Sequence, residues 1–198
     1  MIRTELVTEP GDLPPGQSSV PVLRVKHYGP IPRADPATWQ MDFRGETGDG
    51  LAHRLTFAEL VSMPRAIVIA DHHCATRWTK QANVWHGVPA RDVVTRFPPT
   101  AGVVSLLAYG EYGYAATLRM EDLLRPETLL ATHLGPGPLT PAHGYPVRLV
   151  VPHLYGFKGP KWFRGWEYTL EIERGFWEQR GYHVIGDAWL GQRYSYME

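Results

Sequence analysis

The side chain with the widest chemical reach is Cys74, the single cysteine of the chain. A thiolate is both a nucleophile and a soft metal ligand. One cysteine cannot make an intrachain disulfide, so another reason must keep it there. Asp71, His72, His73, Arg77 and Lys80 surround it in sequence, unusual company for a core position, and the basic residues favour the thiolate. Taken alone, Cys74 also fits a buried cysteine acting as a small apolar side chain. His72 and His73 would be available as zinc ligands. Adjacent residues on a strand point to opposite faces, however, and structural zinc sites use spaced ligands with a second Cys or His pair, which the sequence does not offer.

A second cluster reads Ala142-His143-Gly144-Tyr145-Pro146-Val147-Arg148-Leu149-Val150-Val151-Pro152, followed by Gly156-Phe157-Lys158-Gly159-Pro160-Lys161-Trp162. Gly, Pro and a polar loop bracket an apolar strand. His143 and Arg148 therefore stand where a phosphate or a heterocycle could be gripped, Arg by its planar fork of donors and Lys as a point charge. Arg148 opening a strand and pairing with a structural carboxylate is the alternative on spacing alone.

The elements that must position these residues are short. Residues 1–36 are rich in Pro and Gly and predict an extended segment draped over the rest. Alternation over 39–44 predicts a half-buried strand. Thr56-Phe57-Ala58-Glu59 fits a capping box opening a helix that ends near Pro64. Residues 66–70 form an apolar β-type run with His72-His73-Cys74 just past its end. Pro89 followed by Val93, Val94 and Phe97 predicts a second helix. Strands are expected at 103–108 and 114–118, a short helix at 120–124, a plain loop at 135–138, and strands at 147–151 and 168–172. Strands outnumber helices and do not alternate with them, so the expected class is α+β: mixed β-sheets, short helices and many loops in one domain spanning 1–198.

Composition narrows the function classes. The 198 residues can bury a sizeable core. A formal net charge of +0 argues against a general hold on nucleic acid or an anionic membrane, while leaving room for a local basic site. No stretch approaches the roughly 20 apolar residues of a membrane span. Residues 1–16 lack the apolar run of a secretory signal, and no twin-arginine signal is present, so a soluble cytoplasmic protein is expected.

Together the two clusters resemble the sulfite oxidase family. Residues 71–92, with Cys74, Arg77-Trp78 and Trp85-His86-Gly87-Val88-Pro89, are similar to its molybdenum-ligand region. Residues 143–162 resemble its pterin-binding segment. The short bacterial sulfite oxidase-like oxidoreductases are most similar, over residues 22–198. The resemblance implies a molybdopterin cofactor carrying molybdenum, with Cys74 as its protein thiolate ligand. It implies that His143 and Arg148 contact the pterin and its phosphate, with Gly159, Pro160 and Lys161 on the same wall. His27 matches a cofactor-contacting histidine, with Tyr28 beside it, and Tyr182 falls where the family has a tyrosine next to the metal. A phenol there would position a substrate oxygen or assist proton movement.

Two departures bear on the substrate. Val25 stands where sulfite oxidases have an anion-binding arginine, with Arg24 displaced by one and Lys26 between it and the histidine. By the same resemblance, the dimerisation domain that supplies another arginine in sulfite oxidases and a haem domain are expected to be lacking. Arg77 or Lys80 would be the replacements for those charges. The expected activity is two-electron oxygen-atom transfer on a small substrate, a neutral S- or N-oxide rather than sulfite, with a separate electron donor or acceptor protein. The alternatives are a cysteine-nucleophile hydrolase using Cys74 with His73 or His143, and a non-catalytic cofactor-binding module.

Overall fold

Alternating burial along the strands organises the chain into two mixed sheets. The computed structural model describes residues 11–198 and the backbone of 3–6; for residues 1, 2 and 7–10 the expected extended segment lies outside the described residues. In chain order the elements are β1 (Arg3–Leu6), β2 (Ser18–Ser19), β3 (Gln40–Gly45), β4 (His53–Thr56), α1 (Phe57–Ser62), β5 (Ala66–Cys74) and β6 (Trp78–Pro89). Then come α2 (Ala90–Arg96), β7 (Ser105–Gly110), β8 (Ala115–Arg119), α3 (Met120–Leu123), β9 (Leu129–Leu134), β10 (Gly137–Pro138), β11 (Arg148–Val150) and β12 (Phe163–Thr169). The class is α+β.

The first sheet runs β1-β5-β6-β9-β10, with β11 on β9 and β2 on β6; the second runs β4-β3-β12-β7-β8. β1/β5, β2/β6 and β3/β12 are parallel and the other pairs antiparallel. Met41, Phe43 and Trp166 from the second sheet pack with Val88, Leu130 and Leu149 from the first in the main core. Val68, Ala70, Trp85, Ala131 and Val150 form a smaller core on the other face of the first sheet. Leu149 and Val150 thus serve different cores, as strand alternation requires.

The capping box at α1 is formed: the Glu59 N–H donates to Thr56 Oγ1 at 3.2 Å, and Glu59 Oε2 accepts the Thr56 N–H at 2.8 Å. Such a cap is worth about 1 kcal/mol. Three expectations are corrected. β5 continues through Cys74, so His72-His73-Cys74 is strand, hydrogen-bonded to β6, rather than the loop beyond one. β12 covers Phe163–Thr169 and stops where 168–172 was expected to continue; Leu170 and Ile172 are exposed. The 135–138 loop contains β10, two residues paired with β9. Among the described residues, no helix is long and apolar enough to cross a membrane.

Candidate active site

Cys74 closes β5 opposite Trp78 of β6, and the three-residue turn 75–77 joins the two strands. Arg77 at φ 69° is the left-handed residue that lets so short a hairpin close. Its N–H returns to the Cys74 carbonyl at 3.0 Å. Because side chains alternate along β5, His72 and Cys74 share a face and His73 takes the other. His72 and Cys74 line a cavity of about 270 Å³. His73 is fully buried behind it, donating from Nδ1 to Thr79 Oγ1 at 2.9 Å and meeting Trp189 edge-on.

The N-terminal segment forms one wall. Gln17 Nε2 donates to the Cys74 carbonyl at 3.1 Å, and Val20 N to the Thr79 carbonyl at 2.9 Å. Beyond these anchors Arg24, Lys26, His27 and Tyr28 reach the cavity, with the His27 ring edge-on to Trp162. His143 holds this segment in place. Its Nε2 donates to the Leu23 carbonyl at 3.1 Å while Nδ1 accepts from Thr140 Oγ1 at 2.8 Å. Burial lowers the His143 pKa, in keeping with a neutral ring.

The inner end of the cavity is cationic. Arg148 is 2% exposed, lies over the Trp85 ring at 5.2 Å and donates to the His143 carbonyl at 3.3 Å. Its Nε is buried without a partner. Lys161 donates to the Ala142 carbonyl at 2.7 Å. Burial and Arg148 push the Lys161 pKa down to about 7, and burial lowers Arg148 to about 10. Among the described residues, no carboxylate acts on either cation. Among the described residues, the carboxylate lining the cavity is that of Glu111, held by Arg164 at 2.6 Å. Buried cations without counter-charge are costly unless an anion joins them. Two glycines allow close packing at the floor: a Cβ on Gly156 would lie 2.5 Å from the His72 ring, and one on Gly159 2.4 Å from the Leu149 carbonyl oxygen.

The wall that Tyr28 of the N-terminal segment adjoins, through Phe176 and Trp177 at 4.7 and 6.3 Å between centroids, is aromatic. Tyr182 packs on Phe157 and Trp177 at 5.1 and 5.3 Å between centroids, and burial raises its pKa. The half-buried Tyr114 donates to the Phe157 carbonyl at 2.5 Å.

Of the residues singled out from the sequence, Cys74, Tyr182, His27, Tyr28, His143, Arg148, Gly159 and Lys161 line this one cavity. Pro160 does not. It is buried behind the wall, and its carbonyl accepts from Leu149 N at 2.9 Å. Arg77 and Lys80 also miss the cavity, Arg77 lying near Gly16 and Lys80 donating to the Gln81 carbonyl. His72, Thr76, Tyr114 and Phe157 line it without having been picked out as site residues. His72 was legible in principle, since a strand carried through Cys74 puts residues 72 and 74 on one face. Tyr114 left no such signal. Among the described residues the hydrolase geometry is absent: the Cys74 Sγ hydrogen bond goes to Thr76, His73 faces the other side of β5, and both nitrogens of His143 are engaged elsewhere. Among the described residues there is no cluster of three or more His, Cys, Asp or Glu that could hold a metal unaided.

A thiol facing the same cavity as a buried guanidinium with an orphaned Nε and a half-buried lysine suits a ligand that joins a soft metal to a phosphate. Comparison with known proteins agrees. Residues 28–177 match the family described as oxidoreductase molybdopterin binding domain. The chain is 35% identical to uncharacterized oxidoreductase YuiH of Bacillus subtilis over 98% of both chains. It is 29% identical to the protein-methionine-sulfoxide reductase catalytic subunit MsrP of Campylobacter jejuni over 71% of this chain, spanning 52% of that protein. The crystal structure of the sulfane dehydrogenase SoxCD from Paracoccus pantotrophus shares the fold, with a TM-score of 0.67 and 21% identity over 74% of this chain and 42% of that one.

Proposed function

Because the chain belongs to the oxidoreductase molybdopterin binding domain family, we propose that its cavity holds molybdenum–molybdopterin through Cys74 and uses it to reduce a small neutral S-oxide or N-oxide. One observation carries the site assignment: Cys74, the buried Arg148 with its orphaned Nε and the half-buried Lys161 open onto the same cavity. The residues fit the cofactor. A thiolate suits a metal already bound to sulfur, and the buried guanidinium with an orphaned Nε suits a dianionic phosphate. When bound, the cofactor supplies a two-electron centre for oxygen-atom transfer.

The protein's own side chains do the rest. Cys74 supplies the metal's protein sulfur. Arg148 and Lys161 hold the phosphate end, with His143 beside them and Gly159 on the same wall. His27 and Tyr28 close the N-terminal side. Tyr182, which keeps its proton, offers a hydrogen-bond donor to the oxide oxygen.

A neutral substrate is favoured because the cations nearest the mouth, Arg24 and Lys26, are solvent-exposed and give a small anion only a screened hold. MsrP, named for an S-oxide, supports the same direction. It is named as a catalytic subunit, which supports a separate electron-carrying partner here. Residues 1–198 form one such domain in this reading, and the lone free thiol favours the reducing cytoplasm.

The test is metal and pterin analysis of protein made in a cofactor-synthesising host, followed by assays of sulfoxide reduction and sulfite oxidation on one preparation. Stoichiometric molybdenum, faster sulfoxide turnover, and loss of turnover with an altered metal spectrum in Cys74→Ser are expected. Efficient, saturable sulfite oxidation would sink the substrate reading, and a fully active serine variant the ligand reading.

A further inference from the structure

Thr76 sits two residues beyond Cys74, in the turn between β5 and β6, and lines the same cavity. Its Oγ1 lies 3.2 Å from Cys74 Sγ, and among the described residues that sulfur is its sole hydrogen-bond partner. The turn is pinned on both sides. Arg77 N donates to the Cys74 carbonyl at 3.0 Å, Gln17 Nε2 donates to the same carbonyl at 3.1 Å, and the Arg77 carbonyl accepts from Ser18 N at 3.2 Å. A β-branched side chain also has few rotamers, so the hydroxyl is held near the sulfur rather than passing by it.

We propose that the Thr76 hydroxyl is a positioning residue for the metal-binding sulfur, donating a hydrogen bond to Cys74 Sγ that fixes its direction and draws charge from it. The inference rests on the reading of Cys74 as the molybdenum ligand. A free thiol and a hydroxyl can each donate to the other. A metal-bound thiolate has no proton left, so only the hydroxyl can donate. A donor on the sulfur stabilises negative charge there, which favours the reduced metal and makes the sulfur a poorer electron donor. Partners of this kind tune sulfur-ligated metals through orientation and potential. Removing the hydroxyl must therefore shift the reduction potential negative and move the sulfur-to-metal absorption to lower energy. His72, on the same face as Cys74, cannot substitute: Gly156 packs against its ring, and no hydrogen bond joins it to the sulfur.

The test compares cofactor-loaded wild type, Thr76→Val and Thr76→Ser by redox titration and visible absorption, with metal content measured on each. Valine keeps the shape and loses the donor; serine keeps the donor. Thr76→Val is expected to change the one-electron equilibrium constant by at least about threefold, a negative shift of about 28 mV at 59 mV per tenfold, with Thr76→Ser close to wild type. If Thr76→Val fails to retain metal while Thr76→Ser retains it, the hydroxyl is again the part that matters. Wild-type potential and spectrum in loaded Thr76→Val overturn the proposal, as does a serine variant that shifts as far as valine. If Cys74→Ser leaves the wild-type metal spectrum unchanged, the ligand assignment falls as well. That failure is separable, because it is read in a protein that still carries Thr76.

Discussion

His72 and Gly156 interlock at the floor of the cavity, where a Cβ on the glycine would lie 2.5 Å from both Cε1 and Nε2 of the imidazole. The ring has little freedom to retreat, with Trp78 and Trp85 at 5.9 and 6.5 Å between centroids. Burial first, and then the cations Arg148 and Lys161, hold its pKa well below the usual histidine value. The imidazole is thus a neutral group wedged among charges, and the glycine makes room for it.

Gly156→Ala should therefore overpack this point and cost about 1–3 kcal/mol of stability. His72→Ala in the same chain should restore much of that, because it empties the space the new methyl needs. Urea unfolding of the two single variants and the double variant reads the interaction. Additive costs would mean that the two residues do not share the space.

Arg148 separates a functional cation from a structural one. In the cofactor-free protein it is a buried charge with no carboxylate acting on it, so Arg148→Met should leave thermal stability unchanged or raise it. In a cofactor-synthesising host the same variant should fall several-fold in pterin per protein. A large loss of stability with normal pterin content would show that Arg148 serves the fold instead.

The site was more legible in the sequence than the sheets that carry it. Cys74 and Arg148 stood out by residue type, but spacing alone left each a structural alternative; the family resemblance joined them to Lys161, and all three line one cavity. The capping box at Thr56 was equally plain, being wholly local. β6 was not read, because Thr79, Lys80, Gln81 and Asn83 break the apolar alternation that marks a strand. Those residues are polar for a tertiary reason: Thr79 accepts from His73, and Asn83 donates to the Ala70 and Lys80 carbonyls. The end of β12 was misplaced because Tyr168, Leu170 and Ile172 alternate well, yet strand pairing ends at Thr169 and nothing covers the last two. Pro160 illustrates a different limit: neighbours in sequence need not line the same surface.

Lys161 should make cofactor capture depend on pH. Burial and the Arg148 charge lower its pKa to about 7, against about 10.4 for a free lysine. Below pH 7 both folded and unfolded forms are protonated. Between about 7 and 10.4 the unfolded chain binds more protons, so cofactor-free protein should gain stability as pH rises through that window. Capture of the phosphate-bearing cofactor should run the other way, weakening above pH 7 as the cation is lost. Reconstitution at pH 6 and at pH 8.5 checks this, and Lys161→Arg should flatten the dependence. Equal reconstitution of wild type at both values would remove Lys161 from the phosphate site.

The aromatic wall depends on a buried ion pair. Lys158 and Glu178 are each without side-chain exposure, with Nζ donating to Glu178 Oε1 at 2.5 Å and to the Val184 carbonyl at 2.5 Å. Glu178 Oε1 also accepts from Thr117 N at 3.0 Å. These bonds tie the turn carrying Phe157 to the segment carrying Trp177 and Tyr182, so one pair sets the spacing of three cavity residues. Glu178→Gln should leave the ammonium buried without its counter-charge, at about 3–5 kcal/mol. In a chain of this size each kcal/mol moves the melting temperature by about 2–4 °C. Lys158→Met combined with Glu178→Leu removes both charges and should recover most of that stability. It should not recover the wall, since the side-chain tie between the turn and the segment carrying Trp177 and Tyr182 is then gone and backbone bonds such as Tyr155 N to the Gly186 carbonyl are left to hold them. The double variant should therefore melt near the wild-type temperature while its turnover of a neutral sulfoxide stays depressed. If it melts and turns over like wild type, the pair is dispensable and packing alone positions Tyr182; if Glu178→Gln costs less than about 1 kcal/mol, the charges are better solvated than their burial implies.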